Sequence, residues 1–477
     1  MSSCVKLKTA YLSFFFVIML LVLSVVSTVV PPFQSPDEFA HVARAFSVSQ
    51  GQMVLHAPDA SASGGMVDAG LCEYGQLFTH VPFHKDQQFS KNDLSRALFP
   101  QWTHQAVFVA MPGTGYYFPA IYVPMALGFG IGYKLDLTVQ DSYYLARIFS
   151  IVSICLILTF AFSLFPPNPV VLVILFFPMA LFQFSSATID GVSFALTVLV
   201  LSSYMRIARD RESVPSWVAI VLCLSVFFVA TCRTNLVALF AMAFVACIQL
   251  KRKSMLLLCG LLFIVSFSWI VYTTVSTVDL RVLHGVNPKD LLVRYLLNPQ
   301  EFFAILWNTL TSNNNMGNYW AGSVGLLGWL DTVFEDVFYW IMFAFLAFAG
   351  VLSVSWQYWK KYRVNICVLI CCAIISVLLI FLALLVTWSG YPTTLIKGVQ
   401  GRYFIPPMIV AAYCLSRPFE LSNKIHKYLL VPLVLSTLVF STVTTIHVLV
   451  WRYYIVSTNS NNTLSREPGS SSCLPNW

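Results

Sequence analysis

Apolar residues along this chain come in blocks of about twenty, divided by short polar turns, and do not alternate with the period of a strand or a half-buried helix. The stretches 10–30, 143–165, 169–188, 190–207, 215–232, 234–250, 254–276, 337–358, 364–388, 402–417 and 428–450 read as membrane crossings, since a bilayer core takes about 20 residues of helix. The pattern predicts an all-α polytopic membrane protein with about 11–12 transmembrane helices. A twelfth apolar stretch, 116–133, carries Pro119, Pro124, Gly128, Gly130 and Gly132, so it reads as a broken or membrane-parallel element.

Basic clusters orient these segments. Lys6 and Lys8, Arg206/Arg209/Arg211, Lys251/Arg252/Lys253, Lys360/Lys361/Arg363 and Lys424/Lys427 all fall on the cytoplasmic side in one arrangement. That arrangement puts the long loops 31–142 and 277–336, the short loop 389–401 and the tail 451–477 outside. The expected organisation is a membrane module over 1–276 with its first outer loop, an outer region 277–336, C-terminal helices over 337–450, and a disordered outer tail 451–477. The run 10–30 follows lysines as a signal peptide would, but it has no small-residue cleavage site, so it is expected to remain as the first helix.

Composition narrows the class. With 58% hydrophobic and only 10% charged residues, the chain lacks the roughly 25% charge of a soluble domain, which excludes a soluble enzyme and a disordered chain. The net charge of +8 comes from clusters beside apolar runs, so it marks topology and no nucleic-acid partner. Ten of the 12 cysteines lie in or beside apolar helices, with no spacing that resembles a zinc site, so no metal site is expected. Cys72 and Cys473 fall outside, where an oxidising compartment permits a bridge between them.

Ionisable groups gather at the outer ends of the helices. Ser35-Pro-Asp-Glu38 reads as a helix start, with Ser35 at the N-cap and acids in the first turn. Asp37, His41 and Arg44 then share one face, a combination that serves either as simple capping or as base, positioner and anion clamp. Asp190 reads as a helix cap or a site acid, and Arg233 at an outer turn calls for an anion, phosphate being favoured over an ion pair. Lys397, Gln400, Arg402 and Tyr403 sit in a segment whose Gly398 and Gly401 allow close backbone approach to a ligand. Trp329 and Asp331 end the second large loop, where an interfacial aromatic belt is the bland account. Carboxylates among several cations suit a sugar donor linked through phosphate to a lipid. The acidic pair leaves a divalent cation open and establishes no cofactor.

Five segments in order carry a family resemblance: Pro36-Asp-Glu-Phe-Ala-His41, Tyr117-Phe-Pro-Ala-Ile-Tyr122 with Tyr144-Leu-Ala-Arg147, Ser185-Ser-Ala-Thr-Ile-Asp190, Gly325-Leu-Leu-Gly-Trp-Leu-Asp331 and Gly398-Val-Gln-Gly-Arg-Tyr-Phe-Ile-Pro406. Together they resemble the domain-of-unknown-function-2142 membrane family, itself similar to GT-C glycosyltransferases. The resemblance implies an undecaprenyl-phosphate-sugar donor, Asp37 as catalytic base with Glu38 its neighbour or stand-in, and a polysaccharide acceptor outside the membrane. Where GT-C enzymes commonly contact donor phosphate with lysine, this chain has Arg233, which keeps the charge and changes its shape. In general organisation the chain is also similar to phage-encoded serotype-converting glucosyltransferases that decorate O-antigen, the lipopolysaccharide chain of the cell surface. The reading is thus a multi-pass enzyme of the bacterial inner membrane that transfers a sugar, glucose by that likeness, on the periplasmic face. The alternatives are a lipid-linked glycan flippase or transporter, and an O-antigen polymerase or ligase.

Overall fold

The computed structural model describes residues 3–455 except 59–60, 282–285, 313, 416, 420–423 and 425. The chain enters through α1 (Ser3–Val29), an apolar helix that ends where Pro31 and Pro32 withdraw backbone donors. The first long loop is ordered. It holds α2 (Glu38–Ser49) and an antiparallel pair, β1 (Gly64–Asp68) and β2 (Ala106–Ala110), with Gly64 opposite Ala110. Between the strands lie α3 (Ala69–Gln76), capped by the Asp68 carboxylate, and α4 (Lys91–Arg96), opened by a capping box of Ser90 and Asp93. The stretch 116–133 is broken as its prolines require, into 3-10 turns at Thr114–Tyr116 and Pro119–Tyr122 and the twelve-residue α5 (Val123–Lys134).

The interior is built next. α6 (Val139–Leu164) leads to two short helices, α7 (Pro169–Leu175) and α8 (Pro178–Phe184), and these to α9 (Asp190–Asp210). Every residue of α7 and α8 is buried, and 89% of the apolar window of α9 is enclosed by its neighbours, so these three form the centre of the bundle. α10 (Ser216–Cys232), a 3-10 stretch (Thr234–Leu239) with α11 (Phe240–Gln249), and α12 (Lys253–Ser276) wrap one side. Only 11% of the α12 window is enclosed, and an apolar helix with so bare a surface is a lipid-facing one.

The second long region is also ordered, as α13 (Pro288–Leu297), α14 (Pro299–Thr311), α15 (Asn315–Gly325) and a two-residue ladder of β3 (Leu326–Leu327) with β4 (Thr332–Val333). α16 (Asp336–Ser353) and α17 (Trp356–Thr387, kinked at Tyr362) follow, then a 3-10 turn (Gly401–Phe404) running into α18 (Ile405–Leu415), and last α19 (Val431–Tyr454). One hydrophobic core runs from Phe15 to Tyr453, and a second, under α13 and α14, centres on Tyr295, Phe302, Ile305 and Phe381.

The protein is an all-α polytopic membrane protein. Among the described residues, seven helices are long and apolar enough to span: α1, α6, α9, α12, α16, α17 and α19 with its preceding turn. The other four expected crossings are shorter or interrupted. Pro178 divides 169–188 into two helices, 3-10 turns open 234–250 and 402–417, and 215–232 forms the 17-residue α10. Residues 456–477, and with them Cys473 and most of the expected disordered tail, lie outside the described residues; Cys72 itself is disulfide-bonded.

Candidate functional site

The segment between α1 and α2 places two acids in opposite environments. α2 begins at Glu38, two residues later than a cap at Ser35 would give. The cause is Glu38, whose carboxylate accepts from the Ser35 N–H at 2.9 Å, the Ala187 N–H at 2.9 Å, Tyr143 Oη at 2.6 Å and Arg147 Nη2 at 3.1 Å. A carboxylate with four donors and 0% exposure is a structural joint between α2, α6 and the α8–α9 turn, and it is not available as a stand-in base. Asp37 escapes this cluster because its backbone is left-handed, with φ of 63°, a conformation that aspartate tolerates better than most residues. Its side chain stays 36% exposed.

Asp37 is one member of a row of alternating charges. Arg402 Nη2 donates to Asp37 Oδ2 at 2.6 Å, and its Nε lies 3.7 Å from Asp190 Oδ2. Asp190 in turn pairs directly with Arg233, and Arg281 Nη1 stands 3.6 Å from Asp37 Oδ1. The row Arg281–Asp37–Arg402–Asp190–Arg233 thus holds three guanidiniums and two carboxylates. Asp190 opens α9 but makes no side-chain cap, since both its oxygens are turned to arginine. Arg233 has the anion its position demanded, and that anion is a protein carboxylate.

Electrostatics follow from this packing. Burial alone would raise the Asp37 carboxyl, but its neighbours Arg402, His41 and Arg281, Arg402 foremost, override it and hold the group below the ordinary carboxylate value. His41 is buried and faces Arg233, Arg402 and Arg281, which pushes it down to about 3 against the pull of Asp37. It is therefore a neutral imidazole, bonded through Nδ1 to Tyr122 Oη at 2.9 Å and stacked on Tyr117.

A cavity of about 170 Å³ opens beside the row. Its polar lining is Arg233, Arg402, Asp190, Tyr403, Tyr117, Thr234 and Asn235, and its apolar lining includes Phe194 of α9, Ile380, Ala383 and Leu384 of α17 and Pro406 of α18. The cavity is thus lined both by guanidiniums and by side chains of the spanning helix α17. Asp37, paired with Arg402, is not part of this lining.

The remaining expected site residues are elsewhere. Arg44 turns away from Asp37 and binds the carbonyls of Gln52 and Met53 at 3.0 and 2.7 Å, so it is no anion clamp. Asp331 is paired with Arg452 of α19 at 2.7 Å, and Trp329 donates to the Phe33 carbonyl at 2.9 Å, so the second long region is fastened to the last helix and to the first long region. Lys397 is exposed and Gln400 lies at the head of the 3-10 turn, neither lining the cavity. The two glycines serve packing within the chain. Gly401 lies against the backbone of Gly322 and Ser323 with no room for a Cβ, and Gly398, at φ of 75°, faces the Trp388 ring. Sequence reasoning missed Arg281, a loop arginine with no motif around it, which also pairs with Asp279 at 2.7 Å and covers Trp388. It also gave no role to Arg147, the partner of Glu38, although a basic residue near the head of an apolar helix was a usable signal.

The family model described as Predicted membrane protein (DUF2142) matches residues 16–410. No curated protein matches the chain, and no solved structure does.

Proposed function

We propose that this chain, which belongs to the DUF2142 family of predicted membrane proteins, is a glycosyltransferase that moves a sugar from a polyprenyl-phosphate donor to a polysaccharide hydroxyl at the membrane surface. The observation that carries the reading is the cavity itself: two arginines and apolar side chains of α9, α17 and α18 in one lining, with an ionised, partly exposed Asp37 held against the same Arg402. A lipid phosphate needs fixed cations beside an apolar path, and that combination is what the cavity offers.

In this reading the phosphate of the donor lies against Arg233 and Arg402, competing with Asp190 and Asp37 for their guanidinium faces. The acceptor hydroxyl attacks the anomeric carbon of the sugar while its proton passes to Asp37. The bond from that carbon to the phosphate oxygen breaks, and its electron pair stays on the oxygen, where the arginines stabilise the new charge. Neutral His41 and Tyr122 hold the α2 face in place and take no proton at neutral pH. A polysaccharide of the O-antigen kind at the periplasmic face of a bacterial inner membrane, with undecaprenyl phosphate as carrier, is the setting implied by the family resemblance.

Transfer of labelled sugar from a short-chain polyprenyl-phosphate donor tests the proposal. Asp37→Asn keeps the shape and the left-handed backbone but cannot take a proton, so transfer should fall by about 100-fold or more with the protein still folded. Transfer near the unsubstituted level sinks the assignment. A flippase would move lipid-linked sugar across vesicles unchanged in the same variant.

A further inference from the structure

Three thiols converge far along the bundle from the arginine row. Cys223 lies midway along α10, Cys247 near the end of α11 and Cys259 in the second turn of α12, and all three are buried. Their sulfur atoms all fall within 4.8 Å of one another, with Cys223 Sγ 4.0 Å from Cys247 Sγ. They are free thiols, since a disulfide would need about 2.0 Å. Separations of 24 and 12 residues explain why no metal motif is visible along the chain: the site is made by three helices, not by a loop.

Buried cysteine often serves only as a small hydrophobe. Three of them meeting at one point, from three helices, is better explained by a shared ligand. A metal with sulfur bonds of about 2.3 Å at the centre of three ligands sets them about 4.0 Å apart, so even the widest pair here needs each sulfur to move inward by about half an ångström. Thiolate-only sites select soft ions: Cu(I), zinc or iron–sulfur clusters. Closed structural zinc sites take four ligands, and among the described residues no histidine or carboxylate joins the three sulfurs. A low-coordinate, thiophilic, singly charged ion is what remains.

The surroundings suit a negatively charged thiolate centre. Lys251, Arg252 and Lys253 form the turn between α11 and α12, about one helical turn from Cys247 and less than two from Cys259. Arg252 also donates to Ser216 Oγ at 2.8 Å and to the Val214 carbonyl at 3.0 Å, tying that turn to the start of α10. The same residue thus aligns all three helices and sets positive charge near their thiols.

We propose that Cys223, Cys247 and Cys259 form a three-thiolate site for Cu(I). Binding replaces up to three thiol protons, released to solvent, by three sulfur–copper bonds; copper stays Cu(I) and no electron moves. The bound ion clamps α10, α11 and α12 together, independently of sugar transfer.

The test uses the full-length protein, reduced and oxygen-free in detergent or nanodiscs, titrated with Cu(I) against a chromophoric Cu(I) chelator. One tight equivalent per chain is expected. It should persist when Cys367, Cys371 and Cys372 are replaced by alanine, and any one of Cys223→Ala, Cys247→Ala or Cys259→Ala should weaken it by more than the ~10–100-fold that loss of an outer partner of a metal site costs. X-ray absorption of the unsubstituted protein, which needs no variant to fold, should give a copper shell of three sulfurs. Copper bound equally by the triple alanine variant, a shell with nitrogen or oxygen ligands, zinc retained in preference to Cu(I), or two of the three thiols found as a disulfide after alkylation in intact cells would each overturn the proposal.

Discussion

Asp37 and Glu38 are neighbours in sequence and alike in chemistry, yet one is 36% exposed and the other wholly buried among four donors. A left-handed turn at Asp37 is what separates them. Glu38→Gln should therefore act on folding first. Removing one partner of a buried pair costs about 3–5 kcal/mol because Arg147 is left uncompensated, so the yield of folded protein and its thermal midpoint should drop, and Glu38→Gln with Arg147→Met should recover part of the loss. An unchanged midpoint in the single variant refutes the joint. The pH dependence follows from Asp37. Its folded value is depressed, so the ionised form and its pairing are fully present above the ordinary carboxylate value of about 3.9 and are lost only as pH falls through the lower, folded value. The chemical step, read as sugar transfer in a single turnover, should then stay level from neutrality to about pH 4, with no step near the ordinary histidine value of about 6.5, because His41 is already neutral. Replacing Arg402 by Gln leaves burial to act with less opposition, and the acid limb of the residual activity should move upward; a stationary limb excludes that pairing. From sequence, Asp37, Asp190, Arg233 and Arg402 stood out because charge at the end of an apolar helix does. The contacts of Glu38 and Asp331 were not legible because their arginines are 109 and 121 residues away, and Arg44 turns to two backbone carbonyls that no pattern of charge marks.

Elements were legible wherever apolar length alone decides the outcome, as in α1, α6, α9, α12 and α19. They were less so where a wholly buried segment needs no continuous helix. Between α6 and α9 the chain is covered on all sides, so Pro178 can interrupt it without exposing backbone to lipid, and hydropathy cannot distinguish α7 and α8 from one crossing. The 3-10 turn before α18 has the opposite character, because its geometry is fixed by one contact. Gly401 touches the Gly322–Ser323 backbone, and Ser323 Oγ donates to the Gly401 carbonyl at 2.8 Å. Gly401→Ala must push that turn away from α15 and carry the Arg402 guanidinium with it. Transfer should fall about tenfold or more although no charged group is removed, since a displacement of about 1 Å can cost 100-fold. Wild-type activity in this variant would mean that the turn does not position Arg402.

Across the whole molecule, the last helix is fastened to the first loop. Arg452 of α19 donates to the carbonyls of Gln87, Val81 and His84 and to Asp331, while Tyr454 Oη donates to the Val29 carbonyl at 3.1 Å. Both long regions outside the spanning helices are joined at this one guanidinium. Arg452→Met should loosen them together, read as faster proteolysis at both the 79–90 and 326–335 segments with the helical content of the bundle retained. Cleavage confined to one segment would show that the two regions are held separately. None of this closure is written in local sequence, since it depends on groups more than 360 positions apart.

The charge balance of the alternating row has a kinetic consequence for the proposed reaction. With Asp279 on Arg281, three guanidiniums face three carboxylates, so a bound phosphate adds its full charge to a neutral cluster. The proposed phosphodiester donor brings one negative charge. Once the sugar has left, the carrier is a monoester whose second ionisation falls near pH 6, so at neutrality it carries nearly two charges and the arginines hold it harder than they held the donor. The spent carrier should therefore be a competitive inhibitor and its departure the slow step, with a burst of one turnover before the steady rate. Mild acid, by returning a proton to the phosphate, should shorten its stay.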